Sequence, residues 1–195
     1  MHLMNKEQLV KAIKDHNITW IQLHFTDLFG SLRVVHIPAN QFIQDDILHN
    51  GSGFDGSSVG LKHVEESDML VLPDANTFLV LPHETNEARI LADVCNTDYE
   101  NSVVDPRYVL KKAVESARKS GFDDIIISPE MEFFILSDQE KNHYEPLPSQ
   151  GYFAPPPLDD VKEFRKTVSE LLIKSNINVK YHHHENGRYQ HEIEV

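Results

Sequence analysis

Leu9, Val10 and Ile13 recur at helical spacing behind Asn5, which predicts a first helix capped by Asn5 and ending near His16-Asn17. The period then shortens to two. Ile18, Trp20 or Ile21, Leu23 and Phe25 alternate with polar residues, so residues 18–25 read as a strand. Residues 26–31 form a turn, residues 32–37 return as a second strand, and Pro38 ends it. A short helix is expected over 40–49, a glycine-rich loop over 51–60, and strands over 77–81 and 88–94. A helix followed by several short strands is the pattern of an α+β domain, closing near residue 103.

Beyond that point Asp105-Pro106 supplies an N-cap with proline at the first helical position. Val109, Leu110, Ala113, Val114 and Ala117 would form the apolar face of a helix stopping at Gly121. Residues 124–128 and 132–136 are expected as strands, and 139–157, with five prolines, as a long loop. Asp159 or Asp160 would cap a helix carrying Val161, Phe164, Val168, Leu171 and Leu172, followed by a strand over 177–181. The chain closes on Gln190-His191-Glu192-Ile193-Glu194-Val195, an alternating strand with no turn after it. Such a strand looks cut, so residues 104–195 would be an unfinished second domain.

Composition narrows the function classes. The 195 residues include 31 Asp and Glu against 18 Lys and Arg, a formal charge of −13, and 40% are hydrophobic. That excludes collagen, coiled coils and disordered chains. Cationic runs never exceed Lys111-Lys112, which argues against a nucleic-acid surface. No apolar run approaches the roughly 20 residues of a membrane span, and the polar, charged residues 1–17 are unlike a signal peptide. Cys95 is the single cysteine, which excludes an intrachain disulfide. Together these point to a cytoplasmic protein.

Three clusters are candidates for chemistry. Gly51-Ser52-Gly53-Phe54-Asp55-Gly56 matches G-x-G-x-x-G, but lacks the preceding hydrophobic strand and following helix of a dinucleotide site. What remains is a loop presenting Asp55 between glycines. Glu130-Met131-Glu132 begins a strand, so Glu130 and Glu132 point to one side. Two carboxylates on one face repel unless a cation lies between them, and Mg²⁺ or Mn²⁺ prefers such oxygen ligands. A solvated strand edge is the alternative. His182-His183-His184-Glu185 and Gln190-His191-Glu192 flank the short loop 186–189, which would fold the strand back and bring Glu185 and Glu192 together. Adjacent histidines on a strand face opposite ways, so a mixed His/carboxylate site for Mg²⁺ or Mn²⁺ fits better than zinc.

These motifs, in this order, resemble those of glutamine synthetase in its prokaryotic, type I form. Phe54-Asp55-Gly56-Ser57-Ser58 with Glu65-Glu66-Ser67-Asp68-Met69 is similar to the first family signature. Pro129-Glu130-Met131-Glu132-Phe133-Phe134 is similar to its P-E-x-E-F-F segment. Gly151-Tyr152-Phe153 with Pro156-Pro157, and His183-His184-Glu185 with Gln190-His191-Glu192, follow in family order. Phe25-Thr26-Asp27 and Ile37-Pro38-Ala39 agree with its first hairpin.

The resemblance implies an α+β chain with a β-grasp domain over 1–103 and the first part of a catalytic domain, an antiparallel sheet with helices, over 104–195. It implies ATP-dependent ligation of ammonia to the γ-carboxylate of glutamate through γ-glutamyl phosphate. Glu132, Glu185 and Glu192 would hold one Mg²⁺ or Mn²⁺, and Glu130 would contribute to a second metal near the ATP phosphates. Asp55 would bind ammonium and take its proton in a neighbouring subunit's site. The expected partners are glutamate, ammonium, ATP and further copies of the chain, as in the family's dodecamer. Arg188, in a loop where many members carry V-A-P-G, brings a cation near the metal ligands. The family's later histidine and arginines would follow Val195, so the 195 residues alone are expected to be inactive. A γ-glutamylpolyamine ligase, or a non-catalytic metal-binding or interaction module, would share these motifs.

Overall fold

The computed structural model describes residues 3–136, 151–159 and 161–195. They divide into two compact units, Met1–Ile125 and Ile126–Val195.

The first unit starts with helix α1, Lys6–Asp15. Asn5 accepts from the Gln8 N–H and Gln8 returns a side-chain bond to the Asn5 N–H, a capping box that satisfies two otherwise orphaned donors. Strands β1 (Trp20–Thr26) and β2 (Leu32–Pro38) form the expected hairpin. Asp27, fully buried in its turn, accepts from the Phe29 and Ser31 N–H groups and from Arg33, so one carboxylate fixes the reversal.

The helix expected over 40–49 is two helices, α2 (Ala39–Gln44) and α3 (Ile47–Asn50). Asp46 between them adopts a left-handed conformation, φ 50°, which interrupts the helical ladder. The expected loop over 51–60 also holds regular structure. Ser52–Asp55 is strand β3, paired antiparallel with β4 (Asp68–Pro73), a strand that the sequence pattern does not single out. In Met69-Leu70-Val71-Leu72 every residue is apolar, so alternation appears only in burial, with Met69 and Val71 inside. Strand β5 is reduced to Leu79–Val80, and β6 spans Glu87–Cys95.

The sheet order is β2-β1-β6-β4-β3, with β5 also on β6. β1 and β6 run parallel and the other pairs are antiparallel. Leu9, Ile13, Ile21, Leu23, Phe42, Met69, Val71, Ile90 and Val94 lead its core. Helix α4 (Pro106–Lys119) belongs to this unit and is capped by Asp105, as the sequence predicts. Its predicted apolar face is not its anchor, since Val109 and Leu110 are exposed. Polar contacts hold it instead: Asp105 also accepts from the Val94 N–H, Arg107 pairs with Asp74 and Asp93, and Lys111 with Asp93.

Residues 124–128, expected as a strand, pair with no strand among the described residues. Strand β7 is Glu130–Phe134. Much of the long loop, 137–150, and the alternative cap Asp160 lie outside the described residues. Helix α5 is Lys162–Lys174. Asp159 does not cap it but pairs with Arg165, which with Ser169 is the buried part of the helix, while Phe164 is exposed. The expected strand at 177–181 starts four residues later, as β8 (Tyr181–His184), and β9 is Gln190–Glu194. The sheet order is β7-β9-β8, all antiparallel, so the final strand is central and paired on both sides.

Candidate metal centre

Strand register decides which side chains share a face. Glu132 stands opposite Glu192, which stands opposite His183; Glu130 stands opposite Glu194, which stands opposite Tyr181. With a side-chain period of two, these six residues line one face of the sheet. Met131, Phe133, His191, Ile193, His182 and His184 take the other, where α5 packs through Phe164 against Phe133 and Arg165 against His182 and His191. The glycine-containing turn after β8 brings Glu185 to the acidic face. There Glu185 N–H donates to the Gln190 carbonyl at 2.9 Å, and Asn186 N–H donates to the Glu185 carboxylate.

Among the described residues, two groupings place ligand atoms within 4.8 Å of one another: His183, Glu185 and Glu192, and Glu130, Glu192 and Glu194. Glu192 belongs to both. Glu132 belongs to neither; the Gln190 amide donates to its carboxylate at 2.6 Å, and it lies in register directly beside Glu192. Gln190 also accepts from the Gly187 N–H, so it ties the hairpin turn to β7. The structure thus brings Glu185 and Glu130 each to Glu192, in separate groupings, and leaves Glu132 out of both. The Arg188 guanidinium lies over the Tyr189 ring, 4.5 Å from its centroid.

The electrostatics of this face favour a cation. Burial raises the Glu192 pKa, His183 opposes that rise, and the neighbouring Glu130, Glu132 and Glu185 add to it. His183 Nδ1 lies 3.0 Å from the His184 carbonyl oxygen, which only accepts, so Nδ1 carries the proton. His183 Nε2 lies 3.3 Å from Glu192 Oε2. A buried imidazole nitrogen in contact with a carboxylate is satisfied by a proton on the imidazole or by a metal cation between them. The donor set, several carboxylate oxygens with one imidazole, suits Mg²⁺ or Mn²⁺. Glu194 is neutralised differently: Lys180 Nζ lies 2.6 Å from it and, with Tyr181, holds its pKa below the usual carboxylate range.

Asp55 lies in the first unit, at the end of β3. Ser57 donates its backbone N–H and its hydroxyl to Oδ1, at 2.9 and 2.6 Å, and Ser58 donates to Oδ2 at 2.8 Å. The hydroxyls of Ser57 and Ser58 are the main reason its pKa is lowered to about 2. The loop therefore displays an exposed, permanently ionised carboxylate at neutral pH.

Residues 17–97 match the family described as glutamine synthetase, beta-Grasp domain, and residues 103–195 match glutamine synthetase, catalytic domain. The chain belongs to the glutamine synthetase family. It is 36% identical over 198 residues to the glutamine synthetase of Thermus thermophilus, matching 97% of this chain and 44% of that protein. The Thermotoga maritima glutamine synthetase is 38% identical over 199 residues, matching 98% and 44%. The chain thus spans under half the length of the curated relatives it matches. The cryo-EM structure of Plasmodium falciparum glutamine synthetase superposes with a TM-score of 0.82 at 23% identity, covering all of this chain and 44% of that one. Ligand-free GmaS superposes at 0.80 with 22% identity, over 95% and 44%. The fold is therefore α+β, a β-grasp domain followed by part of the glutamine synthetase catalytic domain.

Within this family fold, two members of the acidic face are not singled out as ligands by motif: His183 and Glu194. Period-two counting from Glu192 reaches Glu194, but which histidine of the run faces Glu192 depends on the β8–β9 register.

Proposed function

We propose that this chain carries the metal-holding and ammonium-binding residues of a glutamate–ammonia ligase. The observation that supports it most is the buried contact of His183 Nε2 with Glu192, ringed by the carboxylates of Glu130, Glu132 and Glu185. In this reading Glu132, Glu185 and Glu192 hold one Mg²⁺ or Mn²⁺, and Glu130 contributes to a second beside ATP. The bound cations neutralise the repulsion between the glutamate γ-carboxylate and the ATP γ-phosphate, two anions that must meet.

The residues of the chain do the positioning. Gln190 fixes the Glu132 carboxylate, and the hairpin turn presents Glu185 beside Glu192. The γ-carboxylate oxygen attacks the γ-phosphorus, ADP leaves, and ammonia then displaces phosphate from γ-glutamyl phosphate. Ammonium binds poorly to neutral groups and is a nucleophile only after losing a proton. Asp55, ionised at any physiological pH, is suited to binding it, and in an oligomer of this chain would serve a neighbouring copy's site. A cytoplasmic homo-oligomer using glutamate, ammonium and ATP is the assembly proposed. Among the described residues no helix is long and apolar enough to cross a membrane.

The 195 residues alone are expected to bind Mn²⁺ and to hydrolyse no ATP in response to glutamate and ammonium. A protein in which the rest of the catalytic domain follows this chain is expected to release phosphate only with glutamate, ammonium and a divalent cation together. Phosphate release with putrescine but not ammonium would replace this reading with an amine ligase.

A further inference from the structure

The hairpin that displays His183, Glu185 and Glu192 has an unusual weakness. β8 reads Tyr181-His182-His183-His184, with no alternation of apolar and polar side chains. Hydrophobic patterning is what ordinarily fixes strand register, because a slip by one residue turns every side chain to the opposite face. Patterning says little about β8: His182 and His183 are chemically the same, yet one faces the helix and the other the acids.

The back of the sheet supplies a directional device. Arg165 of α5 is 1% exposed. Its guanidinium donates to both Asp159 oxygens, to His182 Nδ1 at 3.3 Å and to His191 Nδ1 at 2.8 Å. Arginine has no acceptor, so both imidazoles present a lone pair on Nδ1 and carry their proton on Nε2. One rigid fork thus reads one atom on each strand of the hairpin. His182 is in register with Ile193 and His191 with His184, so the two contacts are diagonal across the pair. A one-residue slip would carry His183 or Glu192 to the helix side. A two-residue slip would keep the faces but take one imidazole out of reach. Asp159 holds the fork from the third direction and balances its buried charge.

We propose that Arg165, oriented by Asp159, is a positioning residue that locks the β8–β9 register and thereby keeps His183, Glu185 and Glu192 together on the cation face. The link to a cation rests on the metal-site reading above; the register lock does not.

The test uses the 195-residue chain, its Arg165→Lys variant and the double variant Arg165→Met/Asp159→Leu. Lysine keeps the charge and the Asp159 pair but cannot reach two imidazoles and two carboxylate oxygens at once. The double variant removes both buried charges, so no lone ion remains in the core. Two quantities are read: Mn²⁺ affinity, from the free-ion electron paramagnetic resonance signal, and hydrogen exchange at the Lys180 and Glu185 amides. Those amides donate to the Glu194 and Gln190 carbonyls and so report register. With helical circular dichroism retained, both variants are expected to lose about tenfold to a hundredfold in Mn²⁺ affinity and to exchange faster at both amides. Unchanged exchange in a folded variant overturns the lock. Faster exchange with wild-type Mn²⁺ affinity overturns its link to the ligands. If the unaltered chain binds no Mn²⁺, the metal reading fails, and exchange at the two amides alone decides the lock. Should the double variant fail to fold, the same two readouts on Arg165→Lys decide it.

Discussion

His183 and Glu192 face each other across the β8–β9 pair, Nε2 to Oε2 3.3 Å, and both are buried. Nδ1 of the same ring lies 3.0 Å from the His184 carbonyl oxygen, so Nε2 meets the carboxylate through a proton of its own or through a cation.

The buried Glu192 carboxyl gives the metal-free chain one pH dependence. Burial, with the carboxylates of Glu130, Glu132 and Glu185, raises the Glu192 pKa above the ordinary 4.5, although His183 works against it. The folded carboxyl then binds its proton more tightly than the unfolded one, so stability falls as pH rises from 4.5 through the raised value. Glu192→Gln is expected to remove this slope, raise the melting temperature above that window by a few degrees, and weaken Mn²⁺ binding by about tenfold or more. Thermal melts from pH 4 to 8 with and without Mn²⁺, at constant ionic strength, check all three; a Gln variant that keeps the slope refutes the assignment.

Metal binding should reverse the sign of the effect at neutral pH. A cation held only by the folded chain stabilises it by about 2.7 kcal/mol at a hundred times its dissociation constant. Urea unfolding at pH 7.5 should therefore shift to higher denaturant with Mn²⁺, and return on adding a chelator. No shift at saturating Mn²⁺ would contradict a site on this face.

Asp55 gives a local titration. Its pKa of about 2 rests first on the hydroxyls of Ser57 and Ser58. Ser57→Ala removes one hydroxyl and leaves the backbone N–H, so the carboxyl should titrate closer to 3.8. Carbon-13 detection of the Asp55 side chain reads it directly. A value unchanged in the variant would mean that the loop, not the hydroxyl, holds the charge.

Gly151 is a close approach that side chains forbid. A Cβ there would meet the Glu185 carbonyl oxygen at 2.5 Å and the His184 ring at 2.7 Å. Gly151→Ala must push the turn that presents Glu185, at a cost of about 1–3 kcal/mol. Lowered Mn²⁺ affinity together with lowered stability is the expected pair of results, by titration and urea unfolding respectively.

Asp105 joins α4 to the first sheet through one carboxylate, accepting from the Arg107, Tyr108 and Val94 N–H groups. Asp105→Ala is expected to cost about 2 kcal/mol, the upper end for a helix cap, and Asp105→Asn much less. Denaturant midpoints of the two variants distinguish capping from mere charge.

Local chemistry made much of this legible in the sequence. The Asn5 and Asp105 caps, the first hairpin, and the return of the chain between Glu185 and Glu192 are written in short spans where residue type dictates backbone geometry. The pairing of Glu130 with Glu132 on one face needs only the period of a strand. The α2–α3 break, by contrast, sits at Asp46, a residue that enters the left-handed region without a local signal. Strand β4 escapes because a run of apolar residues carries no period to read. The buried stripe of α5 is centred on Arg165, which a count of apolar residues excludes from any core.

The α+β class, the caps and turns, and the supply of carboxylates for chemistry are thus properties of residue order alone. Three others emerge only once the chain is folded: β9 lies between β7 and β8, His183 rather than His182 meets Glu192, and Lys180 neutralises Glu194. Pairing partners and register are long-range properties. They are set by what the opposite face of each strand packs against, here a buried arginine, and no local pattern encodes that contact.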